Sequence, residues 1–320
     1  MTAPEPTEAP ERRASTQVAK AVVLVGLPWT WLLLPRFGGV GEIAAVAAPP
    51  VFAGIVVAHA VSLVVRRRLL VLISALAWLV SATVMVAGPR APTHFAAPRD
   101  PVTLVAANLH FGNRTPDEAA HDVLARHADV VVISEGTLRT ESIVSHAYRY
   151  HVRSRFHGNR YSELVASRYP LQIQVVPSEL FQAVVVEVMA PTPFVLVGVH
   201  LPRAGIGVPY LRGRVSFAGQ RLAVRAVTGI TDRSDLPVVV AGDLNVSDRT
   251  AAYRSLVAHR RDAMRARWAG STYRPFPWSL FGLRIDHVII DRTWCAAHAR
   301  RFYPTGSDHN AVQVAIGPCP

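Results

Sequence analysis

The hydrophobic pattern divides the chain near residue 90. Before that point lie three apolar stretches, about Ala21 to Leu34, Ile43 to Val65 and Leu69 to Ala87. Two of them approach or exceed the ~20 residues needed to cross ~30 Å of hydrocarbon. The first is shorter and contains Pro28. Singly, each reads as a buried core helix, and the first as a signal peptide. Three in close succession predict a transmembrane anchor over residues 21–87, behind a tail of residues 1–20. Arg12, Arg13 and Lys20 precede the first stretch, and Arg66, Arg67 and Arg68 separate the second from the third. The bias of basic residues toward the cytoplasm predicts a cytoplasmic N-terminus. It places everything beyond about residue 90 outside the cell membrane. Residues 88–100, rich in proline, predict a semi-extended linker.

From residue 101 to 317 the pattern changes to short β-branched runs. They are "PVTLVAANLH", "ADVVVISEG", "YSELVASRYP", "FQAVVVEVM", "FVLVGVHLP", "LPVVVAGDLN", "RIDHVIID" and "NAVQVAI". Each has strand length and is bounded by Pro, Gly, Asp or Asn. Several are apolar without alternation, as strands buried on both faces are. Helices intervene. "TPDEAAHDVLARHA" begins with a capping-box pattern, Thr115 at the N-cap, Pro116 at N1 and Glu118 at N3. A second helix is predicted over "RVSFAGQRLAVRAVTGI", and a third after Asp248. The expected fold class is α/β, two packed sheets flanked by helices.

Chemistry enters at the strand ends. Asn108, Glu135, His200, Asp243 with Asn245, and Asp308 with His309 close successive runs, while Glu163 and Asp286 stand at or near strand starts. One such ending is unremarkable, because Asp and Asn favour turns. Taken alone, His200 reads as a structural histidine, Asp286 as a salt-bridge partner of Arg284, and Asn108 as a turn residue. Repetition at so many strand ends predicts a shared active face. The other histidines, among them His110, His121, His146 and His151, receive no role; His110 stands close enough to Asn108 for the rim.

Charge adds little selectivity. The formal net charge is +12, and Lys20 is the only lysine. Residues 99 to 320 hold 26 Arg against 18 acids, which suits an anionic partner without choosing among phosphate, nucleic acid and lipid headgroups. Cys295 and Cys319 follow the runs ending at residues 291 and 317. Should those runs pair, the sulfurs lie at neighbouring ends and a disulfide is permitted outside the membrane; two unrelated thiols remain the alternative.

Together "AANLHFGN", "DVVVISEGT", "VGVHLP", "VVVAGDLN", "RIDHVIID" and "GSDHNAV" resemble, in order, the motifs of the endonuclease/exonuclease/phosphatase superfamily. That superfamily includes DNase I-like nucleases, sphingomyelinases and inositol-phosphate phosphatases. "GDLN" followed by "SDH" is the most specific part; Ser134 stands where the family usually has Gln. The resemblance implies a four-layer α/β sandwich over about residues 101 to 317. It also implies a metal-dependent hydrolase of phosphoester bonds. Glu135, Asn108 and, through water, Asp308 would hold Mg2+ or Mn2+, hard ions that take oxygen ligands. No Cys/His cluster argues for zinc, and a second divalent ion at Asp243 and Asn245 stays open. Asp243 would orient and deprotonate water, with Asn245 binding it or a phosphate oxygen. His309, its other nitrogen held by Asp286, would serve the phosphoryl oxygen. His200 would act from the opposite side with Glu163, which is matched to a Tyr-x-Glu through Tyr161 and reads equally as a rim residue.

Three spans ahead of an outward domain are also similar to the actinobacterial teicoplanin-resistance membrane proteins. That similarity implies a lipid-linked phosphate or pyrophosphate as substrate, such as undecaprenyl pyrophosphate, and a role in glycopeptide resistance. The partners expected are the lipid bilayer and the phosphorylated substrate, with no protein partner. Arg203 opens the Arg-rich segment 201–214 and is the expected phosphate contact. A tethered nuclease cleaving external DNA is the alternative, although no aromatic and basic strip suited to a single strand is evident. A catalytically dead receptor or scaffold is the third reading, and the presence of every motif residue speaks against it.

Overall fold

A computed structural model describes residues 39–66, 68–86, 95–154, 162–174, 182–204, 217–266, 270–274 and 282–320. The chain divides into two compact units, Met1–Pro89 and Arg90–Pro320.

In the first unit the second and third apolar stretches form helices α1 (Gly39–Val65) and α2 (Arg68–Val86). They are joined by hydrogen bonds between Ser74 Oγ and both His59 Nδ1 and Ser62 Oγ, each 2.8 Å. Val57, Val61, Val64, Leu72 and Leu79 are each more than half exposed. The first expected span, Ala21 to Leu34, lies outside the described residues. Several side chains within α1 and α2 do as well. Over the described residues no helix is long and apolar enough to cross a membrane. The expectation of three spans is therefore not supported here.

In the second unit the β-branched runs become strands, because each can bury both faces in a stacked sheet. The strands are β1 (Val102–Asn108), β2 (Val130–Gly136), β3 (Tyr150–Arg153), β4 (Ser162–Ser167), β5 (Leu171–Ile173) and β6 (Gln182–Val188). They continue with β7 (Phe194–His200), β8 (Val238–Asp243), β9 (Arg260–Asp262), β10 (Asp286–Asp291), β11 (Trp294–Phe302) and β12 (Ala311–Pro318). Two mixed six-stranded sheets result, ordered β11-β12-β1-β2-β4-β3 and β5-β6-β7-β8-β10-β9. The parallel pairs β1–β2 and β7–β8 lie at the middle of each sheet.

The inner faces meet in a dry core that includes Leu104, Val132 and Val165 from one sheet and Val186, Leu196 and Val239 from the other. Helices α3 (Pro116–Leu124) and α4 (Leu138–Ala147) cover the outer face of the first sheet, where Ala120 and Val144 join Val131 and Ile133. Helices α5 (Ala218–Thr231) and α6 (Ala251–Val257) cover the second, where Val224 and Tyr253 join Val197 and Val240. Helix, sheet, sheet, helix is the four-layer arrangement expected.

The local differences have local causes. Pro116 starts α3 as predicted, but the Thr115 hydroxyl makes no cap bond and turns to Asn113 and Thr305 instead. The cysteines do form a disulfide, Cys295 to Cys319. The reason is not pairing of the two runs that precede them. Cys295 lies on β11, which the run pattern missed, and β11 pairs with β12. Of the expected semi-extended linker, residues 88–94 lie outside the described residues, while Phe95 packs on the central core and the Arg99 amide bonds to Pro318 O at 2.8 Å.

Candidate active site

The parallel strands carry the site because their carboxyl ends point the same way. β1 ends at Asn108, β7 at His200 and β8 at Asp243, while Glu135 is the last residue but one of β2. β10 runs antiparallel and begins with Asp286 directly opposite Asp243. His309 precedes β12, the antiparallel neighbour of β1. Residues separated by two hundred positions thus reach one end of the sandwich.

Asp243 is buried and fixed from several sides. Gly242 before it has φ +135°, and a Cβ there would stand 2.1 Å from Val199 O, so only glycine permits this approach of β8 to β7. Asn245, itself left-handed at φ 49°, donates its backbone N–H to Asp243 Oδ1 at 2.9 Å. Its side-chain amide is committed to Leu201 O at 2.9 Å. Asn245 therefore shapes the turn that presents Asp243.

Asn108 spaces the two central acids. Its Nδ2 donates to Asp243 Oδ2 at 3.0 Å and to Glu135 Oε1 at 3.2 Å. Its Oδ1, the expected metal-ligating oxygen, accepts the His110 N–H at 2.9 Å and keeps a second lone pair. Glu135 has φ 56°, a sparsely populated conformation for a residue with a side chain. The Phe111 N–H holds its Oε2 at 3.0 Å, and Arg203 Nη2 approaches Oε1 at 3.3 Å. His200 Nε2 stands 3.6 Å from Glu135 Oε1 and 3.7 Å from Asp243 Oδ2.

His309 completes the group. Its Nδ1 lies 2.9 Å from Asp286 Oδ2. Its Nε2 is buried without a hydrogen-bond partner, 3.9 Å from Asp243 Oδ2 and 4.0 Å from Asp308 Oδ1. Burial opposes the imidazolium, but the Asp286 carboxylate, with Asp243 and Asp308 beside it, pushes the His309 pKa up to about 9. Asp308 is the exposed member, 3.5 Å from His110 Nδ1.

Glu163 sits differently from expectation. It is fully buried, and its Oε1 accepts the Ser134 hydroxyl at 3.0 Å while Oε2 has no hydrogen-bond partner. None of its described contacts runs to His200. Burial raises its pKa well above the carboxylate range, with Asp243 and Glu135 adding to the effect against the Ser134 bond. Burial thus favours the protonated form of this carboxyl. Tyr161, its expected companion, lies outside the described residues.

Several supporting residues escaped the sequence reading. The Ser307 hydroxyl donates to Asn108 O at 2.8 Å and accepts the His309 N–H at 3.0 Å. Thr272 Oγ1 accepts the Ile285 and Asp286 amides at 3.0 Å. Ser307 was within reach, since it stands inside "GSDHNAV"; Thr272 carries no sequence signal.

Asp243, Asp286 and His309 bring potential ligand atoms within 4.8 Å of one another, close enough to hold a metal ion. The Asp286–His309 hydrogen bond makes that trio better suited to moving a proton. Glu135 and Asp243, two acids spaced by one amide, suit a hard divalent cation better.

Fold and site together define a two-sheet α/β sandwich whose strand ends gather acids around an Asp–His pair. Residues 105–309 match the model of the Endonuclease/Exonuclease/phosphatase family, and the chain belongs to that family. An endonuclease/exonuclease/phosphatase from Bacteroides vulgatus is similar at 15% identity and TM-score 0.54, over 68% of this chain and 99% of that one. The family protein from Beutenbergia cavernae is similar at 19% identity and TM-score 0.52, over 69% of this chain and 72% of that one. D. rerio TDP2 complexed with a single-strand DNA product is similar at 13% identity and TM-score 0.55, over 68% of this chain and 100% of that one. No curated protein matches the chain.

Proposed function

We propose that the protein is a metal-dependent phosphoesterase, held at the cell membrane with its catalytic unit outside and acting on a lipid-linked phosphate or pyrophosphate. The observation that carries the catalytic reading is the buried His309 Nε2, without a hydrogen-bond partner and 3.9 Å from Asp243 Oδ2, an acid that shares the Asn108 amide with Glu135. Phosphoryl transfer needs charge neutralisation, an aligned nucleophile and a proton for an oxygen. A divalent cation bound at Glu135, with Asp308 reached through water, would supply the neutralisation. Asp243 orients the attacking water and takes its proton. His309 donates from Nε2 to a phosphoryl or leaving oxygen, and Asp286 fixes the ring so that Nε2 faces Asp243. His200 adds a second donor from the other side, and Arg203 stands at the mouth to meet the phosphate.

The membrane part of the proposal rests on the exposed Val and Leu residues of α1 and α2 and on Arg66, Arg67 and Arg68 between them. Apolar side chains beside a basic cluster suit a bilayer with anionic headgroups. The Cys295–Cys319 disulfide suits an oxidising compartment. A role in glycopeptide resistance would follow if the carrier lipid is the substrate.

DNA is the second reading, favoured by the similarity to a TDP2 structure that holds a single-strand DNA product. The deciding experiment offers the detergent-purified protein undecaprenyl pyrophosphate, sphingomyelin, phosphoinositides and plasmid DNA, with and without EDTA. EDTA-sensitive phosphate release from the first supports the lipid reading, and nicked plasmid supports the nuclease. Turnover unaffected by EDTA would sink the metal-dependent mechanism. A C-terminal alkaline phosphatase fusion tests topology and is expected to be active.

A further inference from the structure

Glu135 is held from several sides, and Arg203 meets it from a largely exposed position. The Glu135 side chain is 4% exposed and is fixed by Asn108, the Phe111 amide and its own left-handed backbone. The Arg203 side chain is 55% exposed and reaches Glu135 Oε1 through one nitrogen at 3.3 Å. Among the described residues it is the only arginine that forms an ion pair with any of Glu135, Asp243, Asp286 and Asp308. Four acids at one end of a sandwich repel one another, so a cation that can be released there lowers the cost of the empty site. A divalent ion takes a carboxylate oxygen at about 2.1 Å. A guanidinium on that same oxygen would then face it across a few ångströms, cation against cation.

We infer that Arg203 is a built-in counter-cation. It occupies Glu135 in the metal-free protein, is displaced when a divalent ion binds there, and is thereby turned toward the substrate phosphate. Displacement and delivery are one movement. The released guanidinium offers paired N–H donors that match phosphate oxygens. Phosphate binding would then be strengthened once the metal is in place, and the metal would bind more weakly than at an unguarded carboxylate. This inference rests on the reading of the site as a metal-dependent phosphoesterase.

Calorimetric titration of the full chain in detergent with Mn2+ tests it without turnover. Arg203→Gln is expected to bind Mn2+ on the order of tenfold more tightly than the wild type, because a repelling charge has been removed. Arg203→Lys, which keeps the charge, should stay within roughly threefold of the wild type. In parallel, Arg203→Gln should raise KM for bis(p-nitrophenyl) phosphate at saturating Mn2+. Glu135→Gln is the control. If Mn2+ binds the wild type and is lost in Glu135→Gln, yet Arg203→Gln is unchanged or weaker, the counter-cation idea fails and the metal site survives. A wild type that binds no Mn2+ overturns the site reading and this inference together.

Discussion

His309 Nδ1 lies 2.9 Å from Asp286 Oδ2, while Nε2 of the same ring has no hydrogen-bond partner and faces Asp243 Oδ2 at 3.9 Å. One nitrogen is anchored and the other is presented. That division of labour within one ring gives His309 a direction, and Asp286 sets it. Asp286 is set in turn by strand pairing opposite Asp243 and by Thr272.

The pair yields an alkaline limb. His309 as an acid must be protonated, and its pKa is pushed up to about 9. The expected kcat/KM falls on the alkaline side as His309 loses its proton, at or below that value once a divalent cation stands beside Asp243. Asp286→Asn removes the main raising influence and leaves burial, which lowers the pKa. The limb should move toward lower pH, and kcat should drop on the order of 10²-fold. An unmoved limb in a pH–rate profile would reassign the acid.

Asp243→Asn should reduce kcat by about 10³-fold or more, as expected for loss of a general base. Its melting temperature should stay close to that of the wild type. Asn245→Ala, which loosens the turn without removing the acid, should cost about tenfold to a hundredfold. Equal losses for the two would mean that Asn245 itself touches the reacting atoms.

Glu163 makes a prediction opposite to that for a catalytic acid. Its folded pKa lies above the unfolded value. The protonated carboxyl therefore favours the folded state at low pH, and stability is lost as pH rises from the unfolded pKa toward the folded one. Glu163→Gln, a permanently neutral isostere, should match the wild type near pH 4 and be at least as stable at pH 7. Its kcat should change less than about threefold, since a neutral side chain still accepts from Ser134. Chemical denaturation at the two pH values, with a kcat measurement, checks both statements.

Gly242→Ala should destabilise the second unit by about 3 kcal/mol, from a strained φ and a backbone clash. The nearest obstacle is Val199 O, 2.1 Å from the added carbon. Denaturant unfolding of the variant reads the loss directly.

Reducing Cys295–Cys319, or replacing both residues by serine, should cost about 3 kcal/mol, given the short loop it closes. The sequence separation is 24 residues. Melting curves with and without reductant should separate for the wild type and coincide for the double serine variant.

The chain's own pattern was enough to place eight of the twelve strands, to indicate the two-sheet α/β class and to single out polar residues at strand ends. Val and Ile runs can satisfy both faces only inside stacked sheets, and a polar residue ending such a run must stand at the sheet edge. Apolar pattern also located helices α1 and α2, although not what surrounds them. Tertiary structure alone decided the partnerships. Asn108 turned out to space Glu135 and Asp243 because its amide meets both acids at once, a contact across 135 positions that no local pattern encodes. β11 was invisible because "WCAAHARRF" has no β-branched residue; pairing with β12 makes it a strand and brings the sulfurs together. Glu163 was read as a catalytic or a rim residue; that it is fully buried with its pKa raised no local pattern could tell, since burial is set by everything packed around a side chain. Which residues face the pocket follows from periodicity along one strand; what each does there follows from neighbours that other strands deliver.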